Sequence, residues 1–301
     1  WLEMYRHACQ LAGEVPQTRL VVIGDRESDL YELFLERRQQ TGPCAEWLVR
    51  CAQDRSLLEQ EPESAKLWSA VRSSRVLGKI DFEIPATAHR AARGVRQTLR
   101  ARQVTLKPPY RQGQSLPPVA VYAVLATEID PPAGVEPLEW LLLTSWPTTN
   151  FEEAVSIMGY YLKRWQIEVF FHVFKNGCKV EALQLSDFER LSSCLAFYMI
   201  IAWRVLFTTQ LGRACPELPC DILFDTQEWQ AVYLVVRRKA PPSKPPSLAE
   251  MILMVASLGG HLGRKNDGPP GSKTLWIGLQ RARDFAIALD ALSSTAPPTC
   301  V

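Results

Sequence analysis

The chain has only four histidines, no C-x2-C pair and no paired His spacing. A tetrahedral zinc site, which draws on such clusters, is therefore not expected. Its eight cysteines (Cys9, Cys44, Cys51, Cys178, Cys194, Cys215, Cys220 and Cys300) are scattered along a long chain. That pattern suggests no disulfide framework, and the expectation is reduced, mostly buried thiols in a cytosolic protein. A glycine-rich dinucleotide fingerprint and a P-loop are both missing, which argues against a nucleotide-dependent α/β enzyme. The Gly-rich stretch LGGHLGRKNDGPPG follows no strand and reads as a loop, with Arg264 and Lys265 as candidate phosphate contacts. Net charge is only +2, so bulk electrostatics do not announce a nucleic-acid partner. Long apolar runs are scarce as well. Leu195 to Phe207 is too short for a membrane span and contains Arg204; it is expected to be a core helix, and no membrane partner is indicated. The opening residues carry no signal-peptide pattern.

What is present is enough apolar residue, 47% of 301 positions, to bury a substantial core in one large domain or two smaller ones. Trp1 to Ala12 has helical periodicity. TRLVVIGD (Thr18 to Asp25) is a short apolar strand ending in an acid, and RESDLYELFLERRQQ continues as a helix. An Asp at the carboxyl end of a buried strand sits where α/β sheets place their ligands, a position suited to a metal. The competing reading of Asp25 is a helix N-cap. EWLVRCA (Glu46 to Ala52) is the next strand, with Arg50 ending its apolar part. From about Val76 to Pro137 the period changes to two and Pro-rich breaks separate the apolar runs, which predicts an antiparallel β segment. Inside it lie Arg90, Arg93, Arg96, Arg100, Arg102, Lys107 and Arg111 with no acid among them from 90 to 111. This is either a phosphate-binding footprint or a solvated strand face.

Asn150 and Glu153 form a capping pattern after Pro147, and Gly177 is placed to stop what starts there, so one long helix is predicted through YYLKRWQIEVFFHVFK (Tyr160 to Lys175). Tyr161, Arg164, Glu168 and Lys175 follow the spacing Y-x2-R-x3-E-x6-K. On an uninterrupted helix they fall within an arc of roughly 60°. Apolar residues fill nearly all the rest, so the helix is expected to be buried. A carboxylate and two cations on the polar stripe of a buried helix either pair internally or face a cleft holding metal or phosphate. Farther on, Ser186 and Glu189 read as a capping box for an apolar helix expected to pack on the central sheet. Cys215 to Val236 reads as another helix, Arg237 to Ser247 as a basic Pro-rich linker, and Leu248 to Leu258 as a helix ending at Gly259-Gly260.

The Y-R-E-K spacing resembles the signature of cut-and-paste DDE transposases encoded by bacterial insertion sequences. GDRESDLYELF, WLLLTSWP, FKNGCKVE and LGGHLGRKNDGPPGSKTLW look like further segments of that family in the family's order. The resemblance implies an α/β fold: a ribonuclease-H-like core, a mixed sheet flanked by helices, interrupted by an antiparallel β insertion and followed by a helical C-terminal region. The divisions it suggests are 1–75 for the first part of the core with earlier strands missing, 76–138 for the insertion, 139–212 for the second part with the Glu-bearing helix, and 213–301 for the helical region. It further implies that Asp25 and Glu168 are catalytic acids and metal ligands for Mg²⁺ or Mn²⁺, two ions in a complete site. Tyr161, Arg164, Lys175, Arg50 and Trp140 become DNA contacts, Trp140 by stacking a flipped base. Hard oxygen ligands suit those ions, which clamp the attacking and leaving oxygens of a phosphodiester. Double-stranded DNA, a homodimer assembled on it and a cytoplasmic, nucleoid-associated location in a bacterium complete the implication.

One departure qualifies the resemblance. The family's first acid lies on an earlier strand, no Asp precedes Asp25, and neither Glu3 nor Glu14 falls at a strand end. The expectation is an N-terminally truncated transposase, with 1–301 alone inactive or nearly so. A non-enzymatic remnant that occupies transposon ends or pairs with an intact copy, and a ribonuclease-H-like nuclease that cuts without joining, are the alternatives.

Overall fold

The computed structural model describes residues 1–40, 42–58, 65–84, 93–112, 115–264 and 267–295, with side chains to 292. It divides into two compact units, Trp1–Arg164 and Trp165–Val301.

The first unit is a six-stranded mixed sheet in the order β1-β2-β6-β5-β4-β3. Strands β1 (Val21–Gly24) and β2 (Glu46–Arg50) are parallel; β3 (Val76–Ile84), β4 (Arg93–Leu106), β5 (Val119–Ile129) and β6 (Glu139–Thr144) continue the sheet antiparallel. The period-two stretch is thus part of one continuous sheet, joined to β2 through β6. Alternation sorts its residues to two faces. Trp47, Val49, Ala123, Leu125, Leu141 and Leu143 face α1 (Leu2–Glu14), α2 (Tyr31–Gln39) and α3 (Leu67–Arg72). Leu48, Val124, Ala126 and Leu142 face α4 (Phe151–Leu162), which contributes Ala154, Ile157, Met158 and Tyr161. The helix expected directly after Asp25 is instead a 3-10 turn, Arg26–Ser28, followed by α2. Asp25 caps that turn and Leu30 stays extended, so the α-helical hydrogen-bond ladder cannot begin before Tyr31.

The basic stretch is largely occupied by its own chain. Arg93 holds Glu128, Arg96 holds Asp81 at 2.7 Å, Arg111 holds Glu32 at 2.8 Å, and Arg100 and Arg102 donate to the Ser74 and Ala70 carbonyls at 3.2 Å. Arg90 lies outside the described residues. Guanidinium groups already engaged in this way fit the strand-face reading better than a phosphate footprint.

Two cysteines expected to be reduced are joined instead: Cys9 of α1 and Cys44, just before β2, form a disulfide. They are 35 residues apart in sequence. Only the packing of α1 beside the start of β2 brings them together, which spacing alone does not reveal. The nearby Tyr5 hydroxyl donates to the Ala45 carbonyl at 2.7 Å and fixes the same corner. Under denaturing, non-reducing conditions thiol titration should find two fewer groups than the eight cysteines. Cys9→Ser should lower stability by about 3 kcal/mol relative to the oxidised parent, and adding reductant should destabilise the parent but not the variant.

The second unit is helical: α5 (Trp165–His172), α6 (Phe188–Ala214), α7 (Thr226–Arg237), α8 (Leu248–Leu258) and α9 (Ser272–Thr295). The single long helix predicted through Lys175 is broken. The Asn150–Glu153 capping box forms and starts α4. At its other end, the N–H groups of Lys163 and Arg164 bond the carbonyls three residues back, closing the last turn in 3-10 fashion. α5 then starts at Trp165, and a π turn, Val173–Gly177, follows it. The expected burial also fails, for α5 has no buried residue and Trp165, Ile167, Val169 and Phe171 are exposed. α6 begins one residue later than the Ser186 box implied, because Asp187, extended, caps the Glu189 N–H at 2.9 Å. Within its unit it packs on α5, α8 and α9. Of its residues only Ala202, Val205 and Thr208 are buried, with Phe197, Ile200 and Trp203 exposed. Aromatic and aliphatic residues stand on several of its faces, with Tyr198, Ile201 and Leu211 partly covered beside the buried positions. Among the described residues α6 alone is long and apolar enough to cross a membrane, and its Arg204 is ion-paired at 2.7 Å with Glu228 of α7.

Candidate active site

Parallel pairing sets Gly24 beside Val49, so the carboxyl ends of β1 and β2 open side by side. Asp25 follows the first and Arg50 ends the second. Asp25 is half-buried, and its Oδ1 accepts the Glu27 N–H at 3.0 Å, while Ser28 donates from N and Oγ to the Asp25 carbonyl. It is therefore an N-cap, as one reading held, and only one of its carboxylate oxygens takes part in that bond. The two readings of Asp25 are compatible, since capping uses one oxygen of two.

Arg50 stands opposite Leu142 of β6, on the face covered by α4. Its guanidinium donates to the hydroxyl of Tyr161, in the last turn of α4. Burial first, and then the positive charges of Arg26 and Arg164, hold Arg50 below the ordinary arginine range, with Tyr161 acting in the opposite sense. An arginine remains charged after such a shift. Arg26 and Arg164 thus both lie within electrostatic reach of Arg50, and Asp25 leaves the neighbouring strand end. Like charges gathered in one place repel, and an anion placed among them would relieve that repulsion. Guanidinium forks match the paired oxygens of a phosphodiester.

Trp140, two residues before Leu142 on β6, is half-buried between Tyr161 and Phe82, with ring centroids 6.0 Å and 6.3 Å away. Its position beside Tyr161 ties it to the same corner. Arg26 went unnoticed in the sequence. The available signal was its place next to Asp25 at a strand end; what could not be read was that the 3-10 turn leaves it in electrostatic reach of Arg50.

The remaining expected residues lie in the second unit. Glu168 is exposed in the middle of α5, and Lys175, exposed on the π turn, pairs with Glu181 at 3.4 Å. The single polar stripe is thus replaced by three backbone segments: Tyr161 on α4, Glu168 on α5 and Lys175 on the π turn, with Arg164 in the break. A constant rotation of about 100° per residue does not carry across a 3-10 closure and a π turn. Of the loop contacts, Arg264 donates its N–H to Asp267 at 2.9 Å, and Lys265 lies outside the described residues.

Asp25 and Glu168 offer the hard oxygen donors that Mg²⁺ and Mn²⁺ select. Among the described residues no three His, Cys, Asp or Glu gather at a metal-holding distance. Each carboxylate is described within its own unit, and the donor chemistry of each fits such an ion.

Residues 5–203 match the family model described as Transposase DDE domain. Residues 200–293 match the one described as Transposase Tn5 dimerisation domain.

Proposed function

The chain belongs to the transposase DDE domain family of insertion elements, and we propose that the corner formed by Asp25, Arg26, Arg50, Tyr161 and Arg164 receives a DNA phosphate. The mixed sheet flanked by helices is consistent with the ribonuclease-H-like fold of that family. The observation that carries the reading is the side-by-side exit of two parallel strands, one delivering a carboxylate and the other a guanidinium, with further guanidinium groups around it. Arg50, Arg26 and Arg164 would grip the non-bridging oxygens, and Tyr161, which accepts from Arg50, keeps its own O–H to donate. Trp140 would stack an unpaired base at the edge of the same corner.

Members of the family use divalent metal ions. We assign Asp25 and Glu168 as carboxylate ligands; the ions, when bound, would polarise the phosphate and sharpen the attacking oxygen. Lys175 is assigned to the DNA backbone as a point charge. DNA ends and target would be the partners, and the match of residues 200–293 to a dimerisation domain supports self-association of the chain.

The test is a strand-cleavage and joining assay on transposon-end duplexes with Mn²⁺. The chain should bind ends and nick little. Robust nicking that Glu168→Gln abolishes would contradict that expectation. Calorimetric Mn²⁺ affinity of the chain should fall by about tenfold or more in Asp25→Asn, since loss of a residue that merely supports a ligand already costs that much; an unchanged affinity would remove Asp25 as a ligand. Products joined to a supplied 3′-hydroxyl end separate a transposase from a nuclease that only cuts.

A further inference from the structure

Asp29 lies in the turn that carries Asp25 yet takes no part in the corner itself. Its side chain is fully buried, at 0% exposure, and its ion-pair partner Arg55 is 8% exposed. A buried carboxylate is tolerated only when its lone pairs are met. Here they are met from one place. Oδ2 accepts the N–H groups of Ala52 and Gln53 at 2.7 Å and 3.0 Å, and Oδ1 accepts Arg55 Nη2 at 2.7 Å. The same Arg55 nitrogen donates to the Asp29 carbonyl at 2.7 Å, and the guanidinium lies 5.5 Å from the Phe34 ring centroid.

All of these donors belong to the segment that leaves β2 immediately after Arg50. The acceptor, in turn, is fixed to the segment that leaves β1, because the Asp29 N–H bonds the Arg26 carbonyl and Ser28 bonds that of Asp25. One carboxylate therefore ties the exit of β1 to the exit of β2.

We infer that Asp29 is a positioning residue, which sets the spacing of Asp25 and Arg26 against Arg50 by clamping the two strand exits through Ala52, Gln53 and Arg55. The inference rests on the phosphate-binding reading of that corner. Parallel strands leave their ends free to splay once the ladder stops at Gly24 and Val49. Loops at such ends sample several arrangements unless held, and a site misplaced by an ångström loses much of its grip.

The experiment compares Asp29→Asn, Arg50→Ala and the double variant of the full chain for affinity to a transposon-end duplex. Each is first confirmed folded by circular dichroism at the assay temperature. Asp29→Asn keeps acceptor oxygen for the amides and removes the charge that holds Arg55, so it is preferred to Asp29→Ala, which leaves Arg55 buried and unpaired. Affinity should fall about fivefold in Asp29→Asn, and the double variant should bind no more weakly than Arg50→Ala, because the clamp acts through the residue already removed. Full additivity, or an unchanged affinity in Asp29→Asn, would overturn the inference. Amide exchange supplies a readout independent of DNA. Ala52 and Gln53 should lose protection in Asp29→Ala, which removes both acceptor oxygens, while β5 and β6 keep theirs; retained protection at both amides refutes the clamp. If Arg50→Ala binds DNA as well as the parent, the phosphate reading of the corner fails, and the exchange result still decides the clamp.

Discussion

Replacing Arg26, Arg50 and Arg164 together by alanine should weaken binding to a transposon-end duplex by about 100-fold at moderate salt and reduce the slope of log K against log salt by about 3. Each guanidinium that meets a phosphate releases close to one counterion, so the change in slope counts contacts independently of the loss in affinity. Substitution of Arg96 and Arg111 serves as the control. Those side chains already hold Asp81 and Glu32, and their removal should leave the slope almost unchanged. Loss of Arg50 alone should also free the Tyr161 hydroxyl without unfolding the unit, because α4 remains held by Ala154, Ile157 and Met158. A slope that stays fixed in the triple variant would show that these three residues meet no phosphate, whatever the fate of affinity. The contrast between the two sets of arginines is the informative part. Both are basic in composition, and the salt slope is what tells a phosphate-binding residue from one that serves the fold.

That distinction marks how far the sequence could be read. Strand β1 and the acid at its end were legible because four apolar residues in a row followed by Gly-Asp have few other interpretations. The capping box at Asn150 was legible for a similar reason: it is local chemistry, settled by residues three apart. The antiparallel strands were visible from their period. Their membership of one continuous sheet was not, since pairing of β2 with β6 joins residues about a hundred positions apart, such as Leu48 with Thr144. The Cys9–Cys44 bridge escaped for the same reason. The helix through Glu168 failed differently. Nothing in LKRWQ resembles a helix stop, with neither Gly nor Pro present, and the 3-10 closure at Lys163 and Arg164 is a backbone choice that propensity does not encode. Arg26 and Asp29 both stood inside a motif quoted for Asp25. Their roles depend on which way a short turn sends each side chain, and that turn was expected to be α-helical.

In the second unit the largest effect should come from one methyl group. Gly278 of α9 lies against α8, where an added Cβ would stand 1.9 Å from the Val255 carbonyl oxygen and 2.7 Å from its carbon. Four residues farther on, at the C-cap of α8, the relation is reversed: a Cβ on Gly259 would stand 1.8 Å from the Thr274 carbonyl oxygen. Each helix thus offers a glycine where the other brings its backbone close, and an antiparallel pair can approach this tightly only without side chains at both places. The direction of the effect is what makes the test sharp. On an exposed helix, Gly→Ala adds about 1 kcal/mol of stability through propensity alone. Here the methyl meets backbone, which cannot turn aside as a side chain can, so Gly278→Ala should destabilise the unit by about 3 kcal/mol. Chemical denaturation read by the fluorescence of Trp229 and Trp276, both buried in this unit, measures the change. Because residues 200–293 match a dimerisation domain, light scattering should also show the variant losing any self-association of the parent. A more stable variant, with Gly278→Ala raising the denaturation midpoint, would mean that α8 and α9 do not meet through these glycines.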